Sequence, residues 1–430
     1  MNPREISMLT TDPFHLTPAI PRLAPITMSS VRTVIISGAG IAGLATALAL
    51  QQRGVAVTVL EQATQLGEVG AGLQIAPNGS RVLLALGLGA AVQAVACEAA
   101  AKEVRLWNTG RRWPLFDLGA DARARFGAPY WMLHRGDLHQ VLRAAFEVAA
   151  PGSLHTGVRV ARAETVGDAV RVTAADGQAF EADVMVAADG VHSTQRRSAF
   201  GEGSADFTGL MAWRGVVPTA RLAPELCEPV GVNWVGPGGH VITYPLRRGE
   251  LLNVVAIVEK PEWRSESWSD AGTREEVHRD LAGWHPDLHR LIDAMDTPFR
   301  WALLSRPPLK GWVDGRSVLI GDAAHPTLPF LAQGANMALE DALLLARCLT
   351  ELPDADADAA LARFVALRLP RAARIVRGAA DNTHRFHNPL LAEPATAAAY
   401  ICREWEPTRV RQRYDWLFEY DVTRLPLDPP

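Results

Sequence analysis

Cysteine is scarce in this chain. Cys97, Cys227, Cys348 and Cys402 are spread over 430 residues, and no two stand at CxxC spacing. The pattern excludes a disulfide framework and a zinc site, and the expected state is reduced thiols in a cytoplasmic protein. An excess of basic charge is missing too. Lys and Arg number 43 against 47 Asp and Glu, a formal net charge of −4. The electrostatic footprint of a nucleic-acid-binding surface is therefore absent. A mildly negative surface still admits a small anion, provided that a pocket supplies donors. Long apolar runs are lacking as well. The most apolar stretch, Val34 to Leu50, falls short of the roughly 20 residues of a membrane span. Residues 1–27 hold Arg4, Glu5 and several prolines but no continuous apolar core, so they do not read as a signal peptide. They read as a disordered extension, or as a start placed too early, with Met28 just ahead of the first strand. No internal repeat or low-complexity tract is present.

What remains is an ordinary globular composition, 48% apolar and 21% charged, with room for two or three domains at roughly 150 residues each. Val31 to Ser37 is β-branched and apolar, as a buried parallel strand should be. Leu44 to Gln52 reads as an Ala/Leu-rich helix ended by Gly54, and Val55 to Leu60 as a second strand closed by Glu61. Between them lies Gly38-Ala39-Gly40-Ile41-Ala42-Gly43, a GxGxxG that follows a strand and opens a helix. In this context the glycines allow a tight turn and close approach to a pyrophosphate. The helix N-terminus supplies N–H donors, and Glu61 is placed to accept from a ribose hydroxyl. The alternative, a glycine turn that only packs helix on strand, satisfies fewer of these conditions. The motif alone does not choose between NAD and FAD.

Further along, Val104–Trp107 and Trp113–Phe116 flank the hairpin turn Asn108-Thr109-Gly110. Residues 137–149 form a predicted helix. Val184–Ala188 is a buried strand ending at Asp189-Gly190, and Val318–Ile320 a strand ending at Gly321-Asp322. Residues 205–260 read as β-rich, with Val241–Tyr244 and Leu252–Ala256 joined across Arg247–Glu250. Gly236-Pro237-Gly238-Gly239 lies between β segments, so no second dinucleotide domain is visible. A helix is expected over 335–352 and a mainly helical tail over 357–430.

Gly321-Asp322-Ala323-Ala324-His325-Pro326 resembles the GD motif of the group A FAD-dependent aromatic hydroxylases, and Asp189-Gly190 resembles their DG motif. His134-Arg135-Gly136-Asp137-Leu138 is similar to the segment whose arginine contacts the flavin nucleotide. Pro329 and Gln333-Gly334-Ala335-Asn336 resemble the loop that wraps the isoalloxazine. The matches run in the family's order from about residue 31 to 345. The resemblance implies an α/β fold: a Rossmann-like FAD-binding domain with a mainly parallel sheet, an inserted β-rich substrate domain and a C-terminal helical segment. The implied division is an extension over 1–30, a discontinuous FAD-binding domain over 31–75, 130–203 and 300–352, a substrate domain over 76–129 and 204–299, and a helical region over 353–430.

Cofactor contacts are expected from Gly38, Gly40, Gly43, Glu61, Gln74, Arg135, Asp189, Gly190, Gly321, Asp322, Pro329, Gly334, Ala335 and Asn336. The resemblance further implies tight, non-covalent FAD, NAD(P)H as a transient visitor, and O2 converted to a flavin C4a-hydroperoxide. A phenolic substrate is best activated by deprotonation. His240 and Tyr244, four apart in a predicted strand, share a face. They resemble the His/Tyr pair of the 3-hydroxybenzoate 6-hydroxylase and 6-hydroxynicotinate 3-monooxygenase branch, and Gln333 matches an active-site glutamine there. A half-buried sheet that merely carries these side chains is the plainer alternative. His325 is read as orienting its loop, without a catalytic role. Arg214 is read equally as a flavin or carboxylate neighbour and as a partner of a surface acid. Met211 to Gly215 and Trp416 to Asp421 are similar to salicylate-hydroxylase-type sequences. The expected substrate is a small aromatic acid of the salicylate, 3-hydroxybenzoate or hydroxynicotinate type. No nucleic acid, metal or membrane span is expected, and the assembly is a monomer or homodimer. Three rivals stay open: an epoxidase or tailoring hydroxylase of a larger substrate, a flavin dehydrogenase or oxidase reduced by its own substrate, and a non-catalytic dinucleotide-binding protein.

Overall fold

The computed structural model describes residues 30–67, 71–201, 205–260, 262, 270–352 and 355–428. The expected N-terminal extension, apart from Ser30, lies outside the described residues. Thr33–Ser37, Ala56–Glu61, Leu154–Thr156, Val184–Ala187 and Ser317–Leu319 are neighbouring parallel strands, with Val313–Asp314 antiparallel at one edge. The central strands Thr33–Ser37 and Val184–Ala187 are buried on both faces, as apolar runs without alternation predict. The helix after the first strand starts at Ile41, earlier than Leu44, because Gly40 in extended conformation already serves as its N-cap.

The order within this sheet brings distant motifs together. Gly38 N–H donates to Leu60 O at 2.8 Å, Ala188 N–H to Ser37 O at 2.8 Å, and Ile320 N–H to Ala187 O at 3.0 Å. GxGxxG, DG and GD thus stand side by side at the carboxyl ends of adjacent strands, where ligands of open α/β sheets bind.

An eight-stranded sheet runs in the order 270–271, 299–305, 206–218, 251–259, 239–246, 230–236, 101–106 and 112–117. Strand parity splits its faces. Val241, Trp213, Trp234 and Val254 pack against Val277, Leu288 and Ile292 of the helices Arg274–Asp280 and Pro286–Asp293. Tyr244, Leu246, Ala212 and Ile257 join the main core instead. A small sheet of Gly72–Ile75, Trp131–His134 and Cys97–Glu98 lies near this second face. The helix Pro77–Ala85 packs on the 18-residue helix Gly334–Glu351. The 30-residue helix Ala357–Phe386 packs on it too. The end of the chain is clamped to these helices: Arg81 donates to Phe418 O and Tyr420 O, and Arg371 to Trp416 O and Leu417 O.

Candidate functional site

The glycine loop has the geometry of a phosphate cradle. A Cβ on Gly43 would fall 1.9 Å from Gly38 O, and Gly38 itself has φ +104° with its Cβ position against Ala188 O. Both positions therefore require glycine for protein packing. A Cβ on Gly40 would meet no protein atom within 4 Å. Its open side lies at the N-terminus of the helix Ile41–Gln51, whose first amides have no intrahelical acceptor. Glu61 closes the loop from behind, accepting from Ala39 N–H and Ala63 N–H at 2.8 Å each.

Asp322 is accessible to water, yet enough protein surrounds it that desolvation raises its carboxyl above the ordinary aspartate value, against the charges of His325 and Arg135. An accessible side chain enclosed in this way lines a cleft. Arg135 opens the helix Arg135–Ala149, with its N–H on Ala71 O at 3.1 Å. Asp137 holds Arg247 through two carboxylate oxygens, tying this segment to the 239–259 hairpin. Asp189 Oδ2 accepts from Thr194 N–H at 2.9 Å, whereas its buried Oδ1 has no hydrogen-bond partner among the described residues. A Cβ on Gly190 would meet open space.

Pro329 starts a short 3-10 turn, Ala332 takes a left-handed φ of 52°, and Gln333 then caps the helix Gly334–Glu351. A non-glycine residue there is strained and needs outside support. Asn336 provides it. Its Oδ1 accepts from Ala76 N–H, and its Nδ2 donates to Gln74 O and Ala332 O. The Asn336 side chain is therefore a brace, and any cofactor contact falls to the backbone amides of Gly334, Ala335 and Asn336. Gln74 is similarly engaged: Tyr130 donates to its Oε1 at 2.7 Å, and Tyr244 shares a hydrogen bond with it. Gln333 accepts from Asn78 at 2.9 Å, and its buried Nε2 has no partner among the described residues.

Beneath this loop lies a charge network that sequence reasoning missed. Asp341 accepts from Gly321 N–H at 2.9 Å and lies 2.5 Å from His325 Nε2. Arg368 binds Asp341 at 2.7 Å and Glu340 at 2.6 Å, while Arg371 and Asn78 also bind Glu340. Burial opposes ionisation of Asp341, but the charges of His325 and Arg368 prevail and hold its carboxyl down to about 2. His325 thus orients the GD loop, as expected. The signal available in the sequence was adjacent acids inside an apolar helix, answered by two arginines three apart in the next one.

His240 and Tyr244 share the sheet face turned toward the main core. His240 is fully buried, 5.1 Å from the Phe330 ring and 4.9 Å from Phe386, centre to centre. Phe330 stands three positions before Gln333, so the flavin-loop candidate and the strand histidine meet across it. His240 Nδ1 is 2.7 Å from His387 Nε2, and its Nε2 has no partner among the described residues. Burial first, and His387 second, push its imidazole well below the ordinary histidine value, so it stands neutral. Tyr244 lies against Gly72, where a Cβ would come within 2.6 Å of its ring, and burial raises its phenol. Lys102 was also missed. Its Nζ lies 5.2 Å from the Tyr130 ring centre, no carboxylate partners it among the described residues, and desolvation lowers its ammonium to about 7. Arg214 lies over the Trp301 ring at 5.1 Å, with Arg135 in electrostatic reach.

Open space at Gly40, at a helix N-terminus, and at Gly190, an aspartate in a cleft, and buried atoms of Asp189 and Gln333 with no partner among the described residues together suit a flavin dinucleotide. Fold and site define a flavin-binding oxidoreductase. The family model of the FAD binding domain matches residues 31–379. A 3-amino-4-hydroxybenzoate 2-monooxygenase of Streptomyces platensis is 42% identical over 357 residues, covering 83% of this chain and 89% of that protein. A 3-hydroxybenzoate 6-hydroxylase of Klebsiella oxytoca is 35% identical over 361 residues, covering 84% and 90%. A crystal structure of Klebsiella pneumoniae HpxO with FAD and uric acid superposes with a TM-score of 0.77 at 26% identity, covering 93% of this chain and 99% of that one. The chain belongs to this FAD-binding family and is a flavoprotein monooxygenase of the group A hydroxylases.

Proposed function

We propose that this enzyme uses NAD(P)H and O2 to hydroxylate a small aromatic acid bearing a phenolic hydroxyl. The observation that carries the reading is His240 Nε2, a fully buried imidazole nitrogen without a protein partner on a neutral ring. Buried polar atoms are rarely left unpaired, so one at such a site points to a ligand. Bound FAD, reduced by NAD(P)H, supplies the activated oxygen. Gly38, Gly40, Gly43 and Glu61 would hold its adenosine diphosphate half, with Arg135, Asp189, Gly190, Gly321 and Asp322 along the ribityl chain. Pro329, Gly334, Ala335 and Asn336 would face the ring system.

The chain's own contribution is to activate and orient the substrate. His240 Nε2 accepts the phenolic proton, raising electron density on the ring where oxygen is transferred. Gln333 Nε2 donates to the resulting phenolate. Lys102 faces the carboxylate, the anion that its unpaired ammonium lacks. Tyr244, fixed by Gln74, orients the ring. The two curated relatives above act, by their names, on benzoates carrying a hydroxyl and a carboxylate, which fits this division of groups.

The test combines flavin spectra with NADH oxidation and oxygen uptake, using 3-amino-4-hydroxybenzoate, 3-hydroxybenzoate and unsubstituted benzoate. NADH oxidation should rise sharply with the phenolic acids alone. His240→Asn keeps a donor toward His387 but removes the base, and it should lower kcat by about a hundredfold. Flavin reduction by the aromatic acid without NADH would overturn the monooxygenase reading.

A further inference from the structure

We propose that His387 and Glu259 form a conduit that carries the proton accepted by His240 out to solvent. The inference rests on the reading of His240 as the proton acceptor and adds where that proton goes.

The three groups come from distant parts of the chain. His240 pairs with Ile257 across the strands Gly239–Leu246 and Leu251–Glu259. Glu259 is two residues beyond Ile257, so strand parity puts it on His240's side of the sheet. The helix Ala357–Phe386 ends at His387, which caps it with its N–H on Thr383 O at 3.0 Å. Asn388-Pro389 then turns the chain away, because the residue before a proline avoids helical geometry. The His387 ring is left between the other two. His240 Nδ1 to His387 Nε2 is 2.7 Å, and His387 Nδ1 to Glu259 Oε1 is 3.2 Å. His240 and His387 are buried, while the Glu259 side chain is 56% exposed. The line therefore runs from the interior to water.

The hydrogen-bond chemistry gives this line a direction. A carboxylate only accepts, so His387 Nδ1 must carry the hydrogen it shares with Glu259. The neutral His387 ring then has a lone pair on Nε2, which obliges His240 Nδ1 to donate. That leaves a lone pair on His240 Nε2, the atom with no protein partner. One carboxylate at the surface thus fixes both tautomers and leaves a bare base at the inner end. When the substrate O–H gives its proton to His240 Nε2, the His240 Nδ1 proton passes to His387 Nε2. The His387 Nδ1 proton then passes to Glu259, and from there to water. One proton enters, one leaves, and both rings finish neutral in the opposite tautomer. Rotation or exchange with water resets them. The other groups facing the line are the apolar rings of Phe330 and Phe386 around His240, and His384, whose charge would oppose protonation of His387. Burial, the first cause, holds both imidazoles below their usual value, so the proton is passed on rather than stored.

The conduit is tested by proton release. Oxidised holoenzyme is mixed rapidly with 3-amino-4-hydroxybenzoate in weak buffer containing a pH indicator, and the substrate's phenolate absorption is followed in parallel. Wild type should form the phenolate and release a proton in one phase. Glu259→Gln still accepts the His387 hydrogen but cannot take the proton. It should slow release at least about tenfold and leave the substrate Kd within about twofold. Imidazole added to the buffer should restore the rate in Glu259→Gln in proportion to its concentration, a response that a structural role would not give. His387→Gln should slow release as well. If that variant does not fold, Glu259→Gln at the exposed end carries the test alone. Wild-type release rates in Glu259→Gln would overturn the conduit while leaving His240 as base. A wild type that forms no phenolate would overturn the base reading, and the conduit with it.

Discussion

Arg368 and Lys102 are both enclosed cations, and they are built in opposite ways. Arg368 is fully buried with two carboxylates of its own, Asp341 and Glu340, the carbonyl of Met337 and the Tyr420 ring. Lys102 has the face of Tyr130 and no carboxylate among the described residues. A guanidinium presents a planar fork that several acceptors can satisfy at once, whereas an ammonium is a point charge whose ionisation shifts readily on burial. Accordingly the network charges hold Asp341 down to about 2, while desolvation brings Lys102 to about 7. Beneath the flavin loop the buried charges are satisfied by one another. On the side proposed to face the substrate, buried atoms of His240 and Gln333 have no partner among the described residues.

The largest effect should come from breaking the satisfied side. Arg368→Ala removes the cation that bridges two buried carboxylates and leaves Asp341 with His325 and Glu340 with Arg371, at a cost of about 3–5 kcal/mol. Because Asp341 also holds Gly321 N–H, bound FAD should be lost together with fold in thermal melts followed by flavin fluorescence. Retention of FAD with an unshifted Tm would show that the network does not support the GD loop.

Lys102→Met tests the unsatisfied side and should reverse the pattern. The apolar stem is kept and a charge without a carboxylate partner among the described residues is removed, so stability should hold or rise. Linkage gives the sign. Lys102 titrates lower in the folded chain than in the unfolded one. Between about pH 7 and about pH 10 the unfolded state binds more protons, and the wild-type fold gains stability as pH rises. The variant should lose that slope in urea titrations. Its KM for 3-hydroxybenzoate should rise roughly 10- to 100-fold, the worth of a charge-assisted hydrogen bond. In wild type the same KM should climb above about pH 7 as the amine loses its proton. An unchanged KM in Lys102→Met would remove it as the carboxylate anchor.

The same contrast explains what the sequence could and could not disclose. Gly38–Gly43, Asp189-Gly190 and Gly321-Asp322 are local patterns at strand ends. Once the strands are read, their convergence follows from the rule for ligand sites in parallel sheets. His240 and Tyr244 were legible because strand parity is local too. Lys102 was not, since a lone lysine in an alternating strand looks like a solvated residue until Tyr130 is packed beside it. Arg368 and Asp341 lie 27 residues apart, and His240 and His387 lie 147 apart. Those pairings depend on how the helix Ala357–Phe386 returns across the molecule, which no short-range periodicity encodes. Asn336 shows the converse. Its position in the loop was legible, but its side chain braces Ala76, Gln74 and Ala332.

Tyr244→Phe should give the smallest effect, and it separates the two ends of one strand face. His240 leads outward through His387, whereas Tyr244 leads to the uncharged side chains of Gln74 and Tyr130. Burial raises the Tyr244 phenol, so it stays protonated and can orient a substrate but not take its proton. Removing one hydroxyl from a neutral hydrogen bond costs about 1 kcal/mol, or roughly fivefold in rate or affinity. The variant should therefore form the substrate phenolate as wild type does, while more of its oxygen uptake ends in peroxide than in product. Loss of the phenolate band in Tyr244→Phe, with the band intact in His240→Asn, would exchange the roles of the two residues. The base would then sit at the end of the strand that leads to Gln74 and Tyr130.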